Sequence, residues 1–367
     1  MGMKKKDRIK ELLAEGVRQG VYPGAVLLVA REGEIVFFRK VGHRSLTPDA
    51  LPMDRHTIFD LASLTKPLAT TLAVMKLIDE GQIHLDQPLA SLLSMALPRD
   101  KRTLTPRLIL GHSAGFVDWR PFYLKLVKYR TKERKRLVRQ WIIEVPLAYS
   151  PGRGCLYSDL GFIILERVIE EGAGMPMALF LERNFYEPLS LRNTFLSREF
   201  SSTRFKKDMF AATEACPWRN EVLQGRVHDE NAFALGGYSG HAGLFGTAEE
   251  VYRVVNMLRE HYMGKRDDFL RPGTVREFFT RQDSVDACTR ALGWDTPSAE
   301  NSSSGRYFLP DSVGHLGFTG TSVWMDLQGD VIAIFLTNRV HPSRSNEKIR
   351  IFRPILHDAV MEELGKT

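Results

Sequence analysis

The sequence predicts an α+β fold in which one antiparallel sheet, flanked by helices, adjoins a mainly helical lobe. Runs of strand-forming residues lie near both ends of the chain, at residues 24–31, 34–41, 322–327 and 331–338. The stretch between them, from Leu85 to about Phe200, is mainly helical in pattern. The two ends would combine into a single sheet with helices packed on it. We therefore expect an α/β lobe made of residues 1–80 and 236–367, with residues 81–235 as the helical lobe.

The first 80 residues are predicted to form a surface helix, a hairpin and a second helix. Met1 to Arg18 is rich in Lys and Glu, and Glu32-Gly33 joins the first two strand runs as a hairpin turn. From Leu64 to Glu80, apolar residues recur at helical spacing, namely Leu68, Leu72, Met75 and Ile78. Gly81 follows as the residue type preferred just past a helix C-terminus.

The remaining elements are predicted from caps, turns and periodicity. Thr105-Pro106 provides an N-cap followed by a proline at the first helical position, and the loop from Gly111 to Gly115 closes that helix. Further helices are predicted at residues 160–171, 177–185, 248–261 and 350–364. The last two strand runs meet at a turn over residues 328–330, and the polar stretch 298–305 is predicted to be a loop.

Composition excludes several classes of protein. The 367 residues are 43% hydrophobic, and no apolar run reaches membrane-spanning length. If Met1 is the native start, the N-terminus lacks the apolar core and cleavage site of a secretory signal, which predicts a cytoplasmic location. Three widely spaced cysteines, Cys155, Cys216 and Cys288, are expected to be free thiols in a reducing compartment. The ten histidines have no metal-binding spacing, so no metal site is predicted.

The net charge of +7 is concentrated in one segment. Its basic residues are Lys125, Lys128, Arg130, Lys132, Arg134, Lys135, Arg136 and Arg139, with Glu133 as the single acid among them. The favoured interpretation of residues 125–139 is a solvated helix face. The alternative is a patch that steers an anionic substrate or polymer toward a nearby cleft. No nucleic-acid-binding motif accompanies the run, so a nucleic-acid partner is not predicted.

The candidate reaction centre begins with the pair Ser63-x-x-Lys66 at the start of the second predicted helix. Backbone N–H groups are unpaired at a helix start, and the helix dipole there favours developing negative charge. Three residues make almost one helical turn, so the Lys66 side chain would lie on the same face as the Ser63 hydroxyl. An alcohol beside an amine that can lose its proton is an activated nucleophile. Alone, the pair is also compatible with a serine that merely caps a helix.

Two groups far downstream complete the pattern. Tyr157-Ser158-Asp159 follows a turn and precedes a helix, and Tyr157 could transfer protons if a nearby cation lowers its pKa. His315-Leu316-Gly317 opens the last strand region, where Gly317 would allow close backbone approach and a following N–H could stabilise an oxyanion. A rim tyrosine, a structural histidine and a β-bulge glycine are the alternative interpretations.

The order Ser-x-x-Lys, Tyr-Ser-Asn/Asp and His/Lys-x-Gly resembles the serine β-lactamase and penicillin-binding-protein superfamily, with the class C-like branch as the best match. The resemblance runs from Pro23-Gly24-Ala25 to His315-Leu316-Gly317. It implies a β-lactamase/transpeptidase-like fold and acyl transfer without a cofactor. It further implies these roles: Ser63, Lys66 and Tyr157 as catalytic residues, the N–H groups of Ser63 and Phe318 as the oxyanion hole, and Asp159, His315, Gly317 and Thr319 as substrate-binding residues.

Two residues depart from the family pattern. Asp159 stands where an Asn is usual, which removes an amide donor and adds a negative charge that would favour a charged Lys66. His315 stands where a Lys would suit the carboxylate of a β-lactam or of a C-terminal D-Ala, and a neutral histidine would hold that anion less firmly. Both changes weaken the case for a dedicated β-lactamase and leave peptidase, amidase and esterase activities open.

The predicted function is therefore a serine hydrolase that acts through an acyl-enzyme on an amide or ester of a small molecule or peptide. The alternative is a non-catalytic or slowly acylated protein that binds penicillin or a cell-wall fragment. A third alternative is a surface protein that binds a polyanion through residues 125–139. His228-Asp229 suggests a conventional triad, but the Ser-Lys-Tyr set already supplies a base, so these two residues are expected to shape the cleft wall.

Overall fold

A computed structural model describes residues 5–197, 205–283, 285–286 and 288–366. The strands are β1 (Gly24–Arg31), β2 (Glu34–Ser45), β3 (Leu51–Pro52), β4 (Phe59–Asp60), β5 (Phe195–Leu196), β6 (Ala212–Cys216), β7 (Glu221–Gln224), β8 (Leu244–Gly246), β9 (Val313–Leu316), β10 (Ser322–Asp326) and β11 (Val331–Thr337). The main sheet has the order β3-β2-β1-β11-β10-β9, and its neighbouring strands are antiparallel. The two ends of the chain meet where β1 pairs with β11, so the predicted antiparallel α+β architecture is confirmed.

The helices are α1 (Lys5–Arg18), α2 (Leu72–Asp79), α3 (Leu89–Leu92), α4 (Pro106–Leu110), α5 (Tyr123–Leu126), α6 (Thr131–Glu144), α7 (Asp159–Ala173), α8 (Met177–Leu181), α9 (Glu230–Ala234), α10 (Ala248–Tyr262), α11 (Pro272–Phe279) and α12 (Ile349–Glu363). Residues 89–186 are mainly helical, as predicted, whereas the end of that predicted stretch, residues 198–200, lies outside the described residues. The division of the chain at residues 80 and 235 stays a prediction.

Helices cover both faces of the main sheet. Alternate residues of β1, such as Leu27 and Val29, pack with α1 and α12 in one core cluster. The intervening residues, such as Val26 and Leu28, belong to a larger cluster that includes α2, α7 and α10. A strand that is buried on both faces is continuously apolar, which explains the sequence of β1. Within the described ranges, no helix combines the length and apolar character that crossing a bilayer requires.

The segment after β4 is less regular than predicted. Instead of one helix from Leu64 to Glu80, the structure has a 3₁₀ turn (Ala62–Leu64), a π-helix (Lys66–Thr71) and then α2. Pro67 lies in the π-helical part, and residues 64–75 are buried on all sides, so the segment lacks the exposed face of an amphipathic helix. The prediction of a regular amphipathic helix is therefore wrong here. π-Helical turns of this kind are frequent at functional sites.

The prediction of three free cysteines is also wrong. Cys155 and Cys288 form a disulfide with their Cα atoms 5.8 Å apart, and Cys216 is a buried free thiol. The bond joins residues that are 133 positions apart in sequence, a proximity that spacing along the chain does not reveal. It connects the segment that carries Tyr157 to the loop that carries Arg290.

Candidate active site

Ser63 lies in a tight turn whose backbone is held from several directions. Ala62, immediately before it, has a left-handed backbone with φ of 48°, a conformation that is unfavourable for a residue with a side chain. The buried carboxylate of Asp60 accepts hydrogen bonds from the N–H groups of Ala62 at 2.9 Å and His228 at 2.6 Å. The Leu61 N–H donates to the Leu244 carbonyl at 2.9 Å. These contacts fix the serine at the floor of a cleft.

Lys66 is fully buried beside this serine. Its Nζ donates to the Ser63 Oγ at 3.2 Å and to the His241 carbonyl at 3.2 Å, and it forms an ion pair with Asp159 Oδ1 at 2.7 Å. Burial acts to lower the pKa of Lys66, but the negative charge of Asp159 and the nearby Tyr157 outweigh it, so the pKa is raised. The direction of this shift agrees with the expectation that Asp159 favours a charged Lys66.

Behind Asp159 lies a second charged pair. His241 Nε2 is 2.9 Å from Asp229 Oδ1, and polar side-chain atoms of Asp159, Asp229 and His241 all lie within 4.8 Å of one another. Burial acts to lower the pKa of His241, but the charge of Asp229 raises it overall. The ammonium group of Lys66 is thus paired with the carboxylate of Asp159, and the ring of His241 is paired with the carboxylate of Asp229.

Tyr157 lies above this network, surrounded by basic groups. Its ring centroid is 4.7 Å from Lys66 Nζ and 5.2 Å from the guanidinium carbon of Arg290. The rings of His112 and His315 flank it, with centroids at 4.6 Å and 6.0 Å. The loop is anchored because the N–H of Ser158 donates to His112 Nδ1 at 3.0 Å. The three predicted catalytic residues therefore meet in one place.

The strand region after His315 forms one edge of the cleft. His315 is buried, and burial together with the positive charges of Lys66 and Arg290 lowers its pKa well below the usual value, so the ring is neutral at pH 7. A Cβ at Gly317 would lie 2.6 Å from the Leu61 carbonyl oxygen, so this glycine is required for packing against the serine turn. Thr319 donates through its hydroxyl to the Asp60 carbonyl at 2.8 Å and likewise anchors the turn.

Phe318 follows Gly317 at the cleft edge, with a half-exposed ring stacked on His228 at 5.5 Å between centroids. Within the described residues, no acceptor is hydrogen-bonded to the N–H of Phe318 or to that of Ser63. His228 pairs with Glu214 at 3.1 Å, whereas Asp229 pairs with His241. The adjacent His228 and Asp229 therefore belong to different contacts, and the stacking agrees with the prediction that His228 shapes the cleft wall.

The cleft above Ser63 has a volume of about 300 Å³ and is strongly basic. Four arginines line it: Arg290, Arg339, Arg350 and Arg353. The first three have oxygen partners, respectively Asp295, the Phe318 carbonyl and Glu347. A larger adjoining cavity of about 670 Å³ shares Tyr157 and Arg290 but does not reach Ser63.

Arg353 differs from the other arginines of the cleft. Only 4% of its surface is exposed, its Nε has no hydrogen-bond partner, and no ion pair with an acid is found among the described residues. Burial and the charge of Arg339 lower its pKa to about 10. An unpaired buried cation is costly, so Arg353 is a candidate to bind an anion in the cleft that also contains Ser63.

Sequence reasoning found Ser63, Lys66, Tyr157, Asp159 and His315 but missed the arginines of the cleft and the pairing of His241 with Asp229. A signal for Arg353 was available. Ile349, Phe352 and Leu356 define the apolar face of α12, and Arg353 falls on that same face, where a charge requires a reason. His241 lies in a glycine-rich stretch without regular periodicity, so the sequence carried no comparable signal.

Comparisons with known proteins agree with this architecture. Residues 9–354 match the profile of the family described as Beta-lactamase. The N-acetylmuramyl-L-alanine amidase of Bacillus subtilis (strain 168) is 28% identical over 92% of this chain and 82% of its own length. A protein of Escherichia coli O157:H7, provisionally named as a D-alanyl-D-alanine carboxypeptidase, is 31% identical over 87% of this chain and 79% of its own. The structure of EstCE1, described as a hydrolase with promiscuous acyltransferase activity, superimposes with a TM-score of 0.71 at 23% identity over 95% of this chain and 98% of its own.

The chain belongs to the β-lactamase family, as the motif order predicted. It is a hydrolase of that family. The likeness to EstCE1 establishes the fold alone.

Proposed function

We propose that Ser63 is the nucleophile of an acyl-transfer reaction that hydrolyses an amide or ester carrying a carboxylate. The observation that carries the proposal is the 3.2 Å contact between Ser63 Oγ and Lys66 Nζ at the floor of the arginine-lined cleft. Ser63 Oγ attacks the substrate carbonyl carbon, and the acyl group is transferred to the serine. Water then attacks the ester bond and releases the acid.

The proton of the serine needs an acceptor, and Lys66 in its amine form is the nearest one. Because Asp159 holds Lys66 as an ammonium group, Lys66 must first lose a proton, and the carboxylate at 2.7 Å is an adjacent acceptor. Tyr157, next to Lys66, relays the proton that Lys66 has taken from Ser63 to the leaving group, so that Lys66 returns to its amine form. The N–H groups of Ser63 and Phe318, which lack protein acceptors among the described residues, stabilise the oxyanion.

The substrate class follows from charge. His315 is neutral and cannot replace the lysine that would hold a carboxylate, whereas Arg353 is a buried cation without an acidic partner. A guanidinium group binds a carboxylate through paired hydrogen bonds. Both curated relatives have names that refer to cell-wall peptides. We infer that a peptide or related acyl compound with a free carboxylate is the substrate, and that Arg353 binds this group, with His315, Gly317 and Asp159 lining its approach.

Asp159→Asn is expected to move the pH dependence of acylation to lower pH. Asp159 raises the pKa of Lys66, so removing its charge lowers that pKa and makes the amine form available at lower pH. We expect the inflection of the acylation rate against pH to fall by about one unit or more. Asp86→Asn, at an exposed carboxylate paired with Arg107, is the control and should leave the profile unchanged. An unchanged inflection in Asp159→Asn would show that Lys66 is not the titrating base.

Arg353→Met is expected to weaken binding of carboxylate substrates without loss of stability. Removing a hydrogen bond to a charged group is expected to raise KM by about tenfold to hundredfold. The same substrate with its carboxylate capped as an amide should bind wild type and variant alike. Because the variant removes an unpaired buried charge, we expect its melting temperature to be no lower than that of the wild type. Equal KM changes for the free and capped substrates would contradict the assignment of Arg353.

The cellular location is a separate proposal. A cytoplasmic location was predicted from the sequence, whereas a disulfide between Cys155 and Cys288 is typical of oxidising compartments. Thiol alkylation in intact cells, followed by mass spectrometry of the peptides that contain these two cysteines, distinguishes the two locations. Reduced thiols in cells would support the cytoplasm, and a persistent disulfide would argue against it.

A further inference from the structure

Residues 118–136, called here the 118–136 surface, combine exposed apolar side chains with a high density of cations. Four of its large apolar side chains are exposed to between 37% and 51%: Trp119, Leu124, Val127 and Tyr129. Eight basic residues occur in the same stretch, against two acids, Asp118 and Glu133. Large apolar side chains in one exposed patch mark a site of interaction.

The helical turn of α5 separates an inner face from an outer face. Leu126 is fully buried, and Phe122 and Tyr123, one turn earlier, are partly buried beside it. Leu124 and Val127 are three positions apart and therefore share the outer face. Leu124 and Val127 belong to none of the hydrophobic core clusters of the described residues. Core packing therefore does not explain why these two positions are apolar.

Aromatic side chains extend this outer face. The ring centroid of Trp119 is 6.4 Å from that of Tyr123, which is 4.7 Å from the exposed Trp218. Tyr129 lies against Trp141 on the other side, at 5.9 Å. The exposed Trp119 and Trp218 are thus linked through the partly buried Tyr123, and the exposed Tyr129 packs on the partly buried Trp141. Aromatic contacts therefore border Leu124 and Val127 in sequence on both sides.

The eight basic residues of the 125–139 segment divide into two groups. Lys135 and Arg139 turn inward to Glu166 and Glu170, and Arg134 donates to the Ala234 carbonyl. The others are exposed and have no acidic partner among the described residues: Lys125, Lys128, Arg130, Lys132 and Arg136. The prediction of a solvated helix face therefore applies to only part of the segment. The five exposed cations lie in the same stretch of chain as the exposed apolar side chains.

We propose that the 118–136 surface docks onto an anionic phospholipid bilayer. Trp and Tyr are favoured at the level of lipid headgroups, short aliphatic side chains insert among the acyl chains, and Lys and Arg bind anionic headgroups. A protein partner fits less well, because lysine is depleted in the cores of protein interfaces. A nucleic acid would use the cations but would leave Leu124 and Val127 without a contact.

Docking would bring the cleft close to the bilayer. The carbonyl of Asp118 accepts a hydrogen bond from the N–H of Asp159 at 2.9 Å. The side chain of Asn231, in α9, binds the backbone of Arg120 and Tyr123 at 2.9 Å each. The 118–136 surface is therefore attached directly to the elements that carry Asp159 and Asp229. A bilayer-bound molecule would present its cleft to substrates displayed at the membrane surface.

Sedimentation with lipid vesicles tests the proposal on the full chain. Wild-type protein should sediment with vesicles of phosphatidylcholine mixed with phosphatidylglycerol at low salt, less so at high salt, and not with phosphatidylcholine alone. The variant Lys125→Gln/Lys128→Gln/Arg130→Gln should lower the partition coefficient by about a hundredfold. The variant Leu124→Ser/Val127→Ser should lower it by about tenfold or more.

The matched control is Ile35→Ser/Val36→Ser, which replaces two side chains that are each 42% exposed on β2, and it should bind as the wild type does. All seven substituted sites are exposed, and circular dichroism checks that each variant is folded. Absence of wild-type sedimentation with anionic vesicles at low salt would overturn the proposal, as would equal binding by the wild type and the two surface variants. Binding to an anionic polysaccharide or to RNA, but not to vesicles, would overturn it in favour of a polymer.

Discussion

Ser63→Ala is expected to reduce hydrolysis of an activated ester by about 10⁴-fold or more. The alanine side chain has no atom that can form the ester bond with the substrate, and the water that remains would lack the positioning that the turn gives to the serine. The fold should be retained, because Ser63 Oγ has one hydrogen-bond partner among the residues that the structure describes, Lys66. Steady-state turnover of a chromogenic ester, compared between purified wild type and variant, measures the effect.

Ser91→Ala is the matched control. Ser91 is exposed, and its hydroxyl donates to the Pro88 carbonyl at 2.8 Å, away from the cleft. Its turnover should equal that of the wild type. If Ser63→Ala kept full turnover while Ser91→Ala behaved normally, hydrolysis would have to use another nucleophile. The roles assigned to Lys66 and Tyr157 would then also be wrong.

Lys66→Met is expected to lower the acylation rate by about 10³-fold or more. Methionine fills a similar volume but has no amine to accept the serine proton, and Asp159 loses the cation that lies 2.7 Å away. The rate at which a stoichiometric ester labels the protein reports acylation directly. Because the side chain is fully buried, the melting temperature of the variant must be measured alongside the rate.

Lys76→Met controls for loss of a lysine from the same stretch of chain. Lys76, in α2, is partly exposed and forms an ion pair with Glu80 at 3.3 Å, an arrangement that contributes little to stability. We expect normal acylation in this variant. A folded Lys66→Met protein that is acylated at the wild-type rate would exclude Lys66 as the base and leave Tyr157 as the remaining candidate.

Much of the fold was predictable because local patterns agreed with the tertiary structure. β1 and β11 are nearly continuous apolar strands since helices cover both faces of the sheet. The N-cap at Thr105 was correct, since its side chain accepts from the N–H of Leu108. The proximity of Ser63 and Lys66 was predicted from α-helical spacing. Their hydrogen bond exists, although Ser63 lies in a 3₁₀ turn and Lys66 begins a π-helix.

The remaining features depend on contacts between distant parts of the chain. The disulfide between Cys155 and Cys288 depends on two loops that only the folded chain brings together. The pairing of His241 with Asp229, rather than of Asp229 with its neighbour His228, depends on how the segment that carries His241 is placed beside Lys66. The basic character of the cleft arises from α12 and two loops, none of which carries a recognisable binding motif.

The central claim is that Ser63 becomes covalently acylated, and intact-protein mass after a brief reaction with a penicillin or an activated ester tests it most directly. We predict a mass increase of one acyl group in the wild type, located by peptide mapping to the peptide that contains Ser63, and no increase in Ser63→Ala. An adduct that persists without turnover would favour the binding protein over the hydrolase, with Ser63 still the nucleophile. An equal adduct in Ser63→Ala, or turnover of the ester with no acyl group ever found on Ser63, would contradict the account.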